Sequence, residues 1–210
     1  MDYNKIVQDA KALGEQSFLD EGWKRTSKSN DKFTIDMKPS KVSSGNMLRI
    51  SATVDAPIDL CKNTITMMPD SRRPEWDKDL REIKLLQNID DQTVLFYART
   101  NPVAKGVISA REFVDVGRTE VSENQILVYG CSVDHPNIPS PDKYVRGFNA
   151  CWLYRITKDP SQEGRTKMES VLDSDMKGWI PSSVINSTLP TVFGQAISTW
   201  LDFIAKETSS

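Results

Sequence analysis

The feature that most constrains the fold is a long succession of strand-like segments followed by one long apolar helix. Between residues 81 and 175, short runs rich in β-branched and aromatic residues are separated by polar turns, such as residues 90–91 and 122–124. Short turns of this kind are typical of an antiparallel meander. Apolar residues then recur at three- to four-residue spacing over 182–206, which predicts a C-terminal helix. The strand-like runs are 83–85, 92–100, 106–116, 125–133, 144–156 and 166–174.

The first third of the chain supplies further helices and strands. Residues 2–20 have helical spacing of their apolar side chains, and Pro57 begins a second helical pattern because its fixed φ suits a first turn. Residues 33–38 and 48–54 alternate apolar and polar side chains, as half-buried strands do. This order predicts an α+β fold in which a curved antiparallel sheet wraps around the C-terminal helix and encloses a hydrophobic cavity. No repeat or linker interrupts the pattern, so we expect one domain over residues 1–210.

Charge and hydropathy exclude several classes of function. The chain has 27 Lys and Arg residues against 29 Asp and Glu residues, so it lacks the basic excess of a nucleic-acid-binding protein. Its apolar runs are all shorter than the roughly 18 residues that a membrane span needs. The N-terminal segment is polar and lacks the apolar stretch of a secretory signal, so we do not expect export.

Few residues could support catalysis or metal binding. Cys61, Cys131 and Cys151 lie in no CxxC pair, which favours reduced thiols and a cytoplasmic location. His135 is the single histidine, so a zinc site or a nucleophile–base pair would depend on it. The sequence contains no GxGxxG, GxxxxGK[ST] or HExxH motif. We therefore expect no cofactor, no metal and no catalytic residue.

Four segments share their motifs with one family of domains. DSDMKGWIPSSVIN at 173–186 is similar to a family run of aspartate, Gly-Trp-x-Pro and two aliphatic residues before Asn. ISAREFVDV at 108–116 is similar to an I-S-P-R-[DE]-F-V-D strand of the family, with Ala110 where the family usually has proline. RRPEWDKDLREIKLLQNI at 72–89 is similar to a Trp-Asp segment and the strand that follows it. VDHPNIPSPDKYVRGFNACW at 133–152 is the most specific match. Together they resemble the START domain (steroidogenic acute regulatory protein-related lipid transfer), and within it the single-domain, sterol-related branch.

The resemblance implies a helix-grip fold that binds one hydrophobic lipid, and a monomer with transient membrane contact. In the steroidogenic branch a buried acid–arginine pair holds the polar end of the ligand, and the corresponding positions here are near Ala98 and Gly117. That pair is therefore expected to be missing. Arg99, one residue from Ala98, is the candidate polar contact in its place. An equal alternative is that Arg99 is a charge at a strand end that reaches solvent.

We expect the cavity to be lined by the concave faces of the strands and by the inner stripe of the last helix. Ser132, Asn149 and Ser170 could orient a ligand hydroxyl or could satisfy backbone groups instead. For each apolar member the alternative is an ordinary place in the core. The rest of the expected ligand-binding set is Ile83, Leu85, Tyr97, Arg99, Ile108, Trp152, Met168, Leu172, Leu189, Phe193 and Ile197.

Entry of a lipid requires a part that moves without unfolding the sheet. The candidates are the loop at 101–106 and the first half of the last helix, where Pro190 interrupts backbone hydrogen bonding. Lys105 and Lys177 near these edges could meet anionic headgroups or could simply be solvated. Trp179 could insert into a membrane or pack at the start of the helix, and we favour packing.

Three functions stay open at this point. The first is a carrier or sensor of a sterol or sterol-derived molecule. The second is a phospholipid or sphingolipid carrier, which needs a deep cationic site for phosphate or aromatic residues around choline. The third is an enzyme acting on a hydrophobic substrate, for which Asp134, His135 and Arg99 are the candidate polar groups.

Overall fold

The computed structural model describes residues 1–43, 45–66, 71–135, 138 and 144–209. The predicted end of the second helix at 67–68 and most of the proline-rich segment 136–143 lie outside the described residues. The helices are α1 (Tyr3–Leu19), α2 (Ile58–Ile65), α3 (Arg73–Trp76) and α4 (Ser182–Thr208), with a 3-10 turn at Ala104–Gly106. The strands are β1 (Lys24–Arg25), β2 (Phe33–Pro39), β3 (Asn46–Val54), β4 (Leu80–Asn88), β5 (Thr93–Thr100), β6 (Arg111–Val121), β7 (Gln125–Ser132), β8 (Val145–Arg146), β9 (Phe148–Lys158) and β10 (Thr166–Asp175).

The strands form one ten-stranded sheet in the order β1-β2-β3-β10-β9-β7-β6-β5-β4, with the short β8 pairing alongside β6. All neighbours along this path are antiparallel, and β8 pairs with β6 in parallel. The predicted meander corresponds to β4, β5, β6, β7, β9 and β10, each of which pairs with the next. Pairing of β3 with β10 joins the early strands to this meander. The observed architecture confirms the α+β prediction of a curved antiparallel sheet with a long C-terminal helix.

Both faces of the sheet carry an apolar core. One face packs against α2, α3 and α4, and the other against α1; we call them the inner and outer faces. On β5, for example, Phe96 and Ala98 belong to the inner core, whereas Leu95 and Tyr97 pack with the outer core. Because helices cover both sides of the sheet, the sequences of the central strands are continuous apolar runs and do not alternate between apolar and polar residues.

Helix α1 covers the outer face by a close approach to β9. Asp2 caps the helix, its side chain accepting a hydrogen bond from the Lys5 backbone N–H at 3.0 Å. Val7, Ala10 and Gly14 are buried at three- to four-residue spacing. A Cβ at Gly14 would lie 2.9 Å from the Leu153 Cβ, so glycine permits this contact.

Helix α4 is anchored at its C-terminal half. The indole N–H of Trp200 donates to the Thr64 Oγ1 at 2.9 Å, and that of Trp76 donates to the Thr64 carbonyl oxygen at 2.8 Å. These bonds fasten α4 and α3 to the end of α2. By contrast, residues 182–188 at the start of α4 are all partly or fully exposed. Pro190 lies between these two halves and is buried.

Candidate functional site

A cavity lies between the inner face of the sheet and α4. Its volume is about 190 Å³, more than ten times the roughly 10–15 Å³ that one water molecule occupies by a comparable measure. Side chains from β5, β6, β9, β10 and α4 form its wall, and most of that wall is apolar. A smaller space of about 60 Å³ adjoins it and shares Tyr154, Leu172 and Phe193 as a boundary.

The structure brings most of the expected ligand-binding residues to these two spaces. The main cavity is lined by Ile108, Asn149, Trp152, Leu172, Leu189 and Phe193. The smaller space is lined by Met168, Ser170, Leu172, Phe193 and Ile197. Their contact with a ligand stays a prediction.

Ile83, Leu85 and Ser132 stand close to the cavity without forming its wall. Ile83 and Leu85 pack against the inner core, opposite Ala98 and Phe96 of the neighbouring strand. Ser132 lies behind the wall, where its hydroxyl donates to a carboxylate that does face the cavity. Ile83 and Leu85 thus neighbour lining residues within the sheet, and Ser132 is bonded to one.

The placement of Tyr97 and Arg99 on the concave face was wrong. Both lie on the outer face, because Phe96, Ala98 and Thr100 of the same strand are the ones that line the cavity. The Arg99 guanidinium donates to Glu112 at 2.6 Å and to Glu82 at 3.0 Å, and it stacks on the Tyr97 ring. Arg99 is thus neither a lone cation in the cavity nor a free charge at a strand end.

Asp115 of β6 is the main polar group that the sequence prediction missed. It is buried and lines the cavity. Its Oδ1 accepts a hydrogen bond from the Ser132 hydroxyl at 2.6 Å. Its Oδ2 accepts bonds from the Asn149 amide at 2.7 Å and the Trp152 indole N–H at 3.0 Å. An acidic residue inside the apolar run EFVDV was the available signal.

All three donors to Asp115 are neutral. Burial raises the pKa of the Asp115 carboxyl above its ordinary value, and the hydrogen bonds from Ser132, Asn149 and Trp152 oppose that rise. In the described part of the chain no ion pair includes Asp115, so this buried carboxyl group faces a mostly apolar cavity without a paired cation.

The Trp152 indole reaches Asp115 because two paired glycines leave space for its ring. Gly117 of β6 and Gly130 of β7 lie directly opposite each other. A Cβ at Gly130 would fall 2.5 Å from Cζ2 of Trp152, and a Cβ at Gly117 would fall 2.9 Å from its Cη2. The resemblance places an arginine near Gly117, but the Trp152 indole occupies that space. The buried carboxyl group of the cavity belongs to Asp115, two residues before Gly117.

Arg111 is the second missed residue, and it lies four positions from Asp115 on the same face of β6, about 13 Å away. Its guanidinium donates to the carbonyl oxygens of Met176 at 2.9 Å, Lys177 at 3.1 Å and Ser109 at 2.6 Å. Burial lowers the pKa of this guanidinium. These bonds tie the segment before α4 to the loop before β6.

The two segments that Arg111 ties together form part of the cavity wall. Val103 and Ile108 of the loop and Met176 of the other segment line the cavity. Beside them, Trp179 is 95% exposed and Val107 is 60% exposed. Our preference for a packed Trp179 was therefore wrong, because the indole projects from the turn before α4 without core contacts.

The acid–base candidates do not converge in the cavity. Asp134 is exposed, His135 is partly buried, and neither lines the cavity, while Arg99 lies on the outer face. Within the described residues, no cluster of three or more His, Cys, Asp or Glu side chains could hold a metal ion. No helix in that same part of the chain is long and apolar enough to cross a membrane.

A sheet that wraps around a long helix and leaves an apolar cavity beneath it defines a cavity-containing helix-grip domain. The family model described as "START domain" matches residues 11–210, and the chain belongs to this family.

Individual relatives agree with this assignment. The chain is 27% identical to human "StAR-related lipid transfer protein 6" over 194 residues, covering 91% of this chain and 86% of that protein. It is 29% identical to the Xenopus laevis "Steroidogenic acute regulatory protein" over 184 residues, 84% of this chain but 60% of that longer protein. The solved structure of human StAR-related lipid transfer protein 5 superposes with a TM-score of 0.85 at 22% identity, over 96% of this chain and 97% of that one.

Proposed function

We propose that the protein binds one hydrophobic lipid in its cavity and carries it between membranes, as a monomer in the cytoplasm. The observation that carries this proposal is the apolar space of about 190 Å³ between the sheet and α4. Lipid transfer also stands in the name of the human relative. Three free, buried cysteines agree with a reducing compartment.

The physical advantage of such a cavity is large. Moving a lipid with about a dozen apolar carbons from a membrane into water costs roughly 10 kcal/mol, at about 0.8 kcal/mol per CH₂. That cost corresponds to about a ten-million-fold penalty on spontaneous exchange. Enclosure in an apolar cavity removes most of this penalty, and no covalent step is needed.

Among lipids we favour a sterol or a sterol-derived molecule. A phospholipid needs a cation that can donate to its phosphate. Arg73 and Arg111 are the arginines that line the cavity within the described residues. Arg73 pairs with Asp77 at 2.8 Å, and Arg111 donates to three backbone carbonyls. The name of the Xenopus relative points to steroid production. A phospholipid or sphingolipid is the second candidate ligand.

We place the membrane contact at the mouth of the cavity. Exposed Trp179 and Val107 lie on the two segments that Arg111 ties together, and we place the lipid entrance between these segments. Tryptophan favours the membrane–water interface, and the neighbouring Lys105 and Lys177 suit an anionic surface. Separation of the loop at 101–110 from the start of α4 would then admit the lipid.

Vesicle transfer with a filled cavity tests the proposal. Ala196 lines both spaces, so Ala196→Trp puts an indole where the lipid would lie. Ala205 is exposed on the same helix, and Ala205→Trp is the matched control. We expect native mass spectrometry to find one lipid on the wild-type protein and on the control, both of which transfer a fluorescent sterol faster than phosphatidylcholine. A folded Ala196→Trp variant that transfers as fast as wild type contradicts the proposal.

A further inference from the structure

The cavity contains a buried acceptor, Asp115, whose hydrogen bonds the surrounding side chains do not complete. A carboxylate offers about four lone-pair positions. Oδ2 of Asp115 accepts two bonds, from Asn149 and Trp152, while Oδ1 accepts a single bond, from Ser132. One position on Oδ1 is left, on a buried side chain in a wall that is mostly apolar.

The donors around Asp115 are held in a fixed orientation. Ser174 donates to the Asn149 Oδ1 at 2.6 Å, which turns the Asn149 amide nitrogen toward Asp115. The Asn149 backbone N–H donates to the Ser132 Oγ at 2.8 Å, so the Ser132 proton is directed to Asp115. The Trp152 indole N–H can only donate. Asp115 is thereby fixed as the acceptor in every one of these bonds.

We infer that Asp115 selects lipids whose buried polar end donates a hydrogen bond, such as a sterol hydroxyl, and rejects lipids whose buried end only accepts one, such as a ketone. The inference rests on the proposed function and names the ligand chemistry of that cavity. A ketone oxygen opposite Oδ1 would place two acceptors face to face and leave the carboxylate unsatisfied, which is costly in a buried site. A lipid carboxylate or phosphate in that place would add a like charge.

The substitution Asp115→Asn reverses the chemistry at this position while conserving shape. Its amide oxygen takes the place of Oδ2 and accepts from Asn149 and Trp152. Its nitrogen takes the place of Oδ1, donates one proton to the Ser132 oxygen, and directs the other into the cavity. The variant therefore offers a donor where the wild type offers an acceptor.

The matched control is Asp173→Asn. Asp173 is buried on β10, and its Oδ2 accepts from the Ser40 hydroxyl at 2.9 Å. Alternation along the strand places it on the outer face, because Leu172 and Ser174 line the cavity. The control removes a buried carboxylate without touching the proposed site.

The experiment measures the affinity of each protein for a 3β-hydroxysterol and for the matching 3-ketosterol at a pH above the folded-state pKa of Asp115, where the carboxyl group is ionised and can only accept. We expect wild type and Asp173→Asn to bind the hydroxysterol about tenfold or more tightly, as a hydrogen bond to a buried charged group implies. In the Asp115→Asn variant, we expect the ratio of the hydroxysterol affinity to the ketosterol affinity to fall to about one or to invert. Equal binding of both sterols by wild type, or an unchanged ratio in a folded Asp115→Asn variant, overturns the inference.

The outcomes separate this inference from the proposed function. Equal binding of the two sterols removes the role of Asp115 but leaves lipid carriage intact. Binding of phosphatidylcholine with neither sterol overturns the inference and favours the second candidate ligand, and binding of no lipid overturns both proposals.

Should Asp115→Asn not fold, the binding of the 3-methyl ether of the same sterol to the wild-type protein is measured instead. The ether accepts but cannot donate, so it should bind as weakly as the ketone, and affinity equal to that of the hydroxysterol overturns the inference.

Discussion

The indole N–H of Trp152 donates to Oδ2 of Asp115 at 3.0 Å, and two glycines on neighbouring strands make this bond possible. Gly117 and Gly130 face each other across β6 and β7, and the ring of Trp152 fills the space that their missing side chains leave. A large aromatic side chain is thus held by close contact so that its polar edge meets a buried carboxylate. The positions of the Trp152 ring and of the Asp115 carboxyl group in the cavity wall depend on this packing.

Gly117→Ala is expected to disturb the Trp152–Asp115 contact. The new Cβ would lie 2.9 Å from Cη2 of Trp152 and 3.1 Å from Cε1 of Phe96, and both rings are buried. Overpacking of this kind costs about 1–3 kcal/mol of unfolding free energy, which urea unfolding measures. Gly45→Ala is the control, because its Cβ would have no neighbour nearer than 3.7 Å. Equal stability of the two variants would contradict the assigned role of Gly117.

Ser170→Ala is expected to stabilise the free protein. The Ser170 Oγ is buried and has no hydrogen-bond partner among the described residues. An unsatisfied buried hydroxyl costs about 1–3 kcal/mol, so its removal should raise the unfolding free energy by about 1 kcal/mol. Ser132→Ala, which removes the donor to Asp115 and the acceptor of the Asn149 N–H, should have the opposite sign. Thermal or urea unfolding without lipid distinguishes the two, and a destabilised Ser170→Ala variant would show that the hydroxyl has a partner.

The pH dependence of stability should reveal the buried carboxyl of Asp115. Its pKa in the folded protein is raised by burial above the ordinary 3.8, so the folded state binds this proton more tightly than the unfolded state does. Its contribution to stability therefore falls as the pH rises from about 4 to the folded-state pKa, and is constant above it. The unfolding free energy of Asp115→Asn minus that of wild type should accordingly increase over this interval. A difference that is flat or decreases with pH contradicts the raised pKa.

Trp179→Ala is expected to weaken membrane binding without loss of stability. The indole is 95% exposed, so its removal costs no core packing. At the membrane interface, however, it would supply most of the apolar contact at the mouth of the cavity. Co-sedimentation with vesicles containing anionic lipid measures the effect, and at least a severalfold loss is expected. Leu19→Ala, which removes an apolar side chain that is 78% exposed at the end of α1, should leave vesicle binding unchanged. Equal loss in both variants would show that Trp179 does not mark the docking edge.

Part of the cavity wall was predicted from the sequence, namely the lining residues of α4 and β10. Leu189 and Phe193 line the main cavity and Ile197 the smaller space, as expected, because helical periodicity assigns one face of α4 directly. On β10, Met168 and Leu172 were also placed on the inner face, since charged residues alternate with them along that strand. Periodicity is decisive where one face of an element is apolar and the other is polar.

The same reasoning failed on β5. Residues 93–98 are buried except for Tyr97, so their polarity contains no information about which face is inner. A shift of one residue in such a strand exchanges all the side chains between faces. This is why Arg99 was expected in the cavity, whereas its guanidinium lies outside with Glu82 and Glu112.

The sequence by itself determined the order of the main helices and strands and the START motifs, because these follow from local periodicity and from short runs of residues. The two-residue strands β1 and β8 are too short to leave such a pattern. Only the tertiary structure decided which charges face the cavity. Asp115 and Arg111 lie inside and Arg99 outside because the register of β5 and β6 and the cover of α1 assign each side chain to a face. That assignment depends on contacts between segments far apart in the chain, which no local pattern contains.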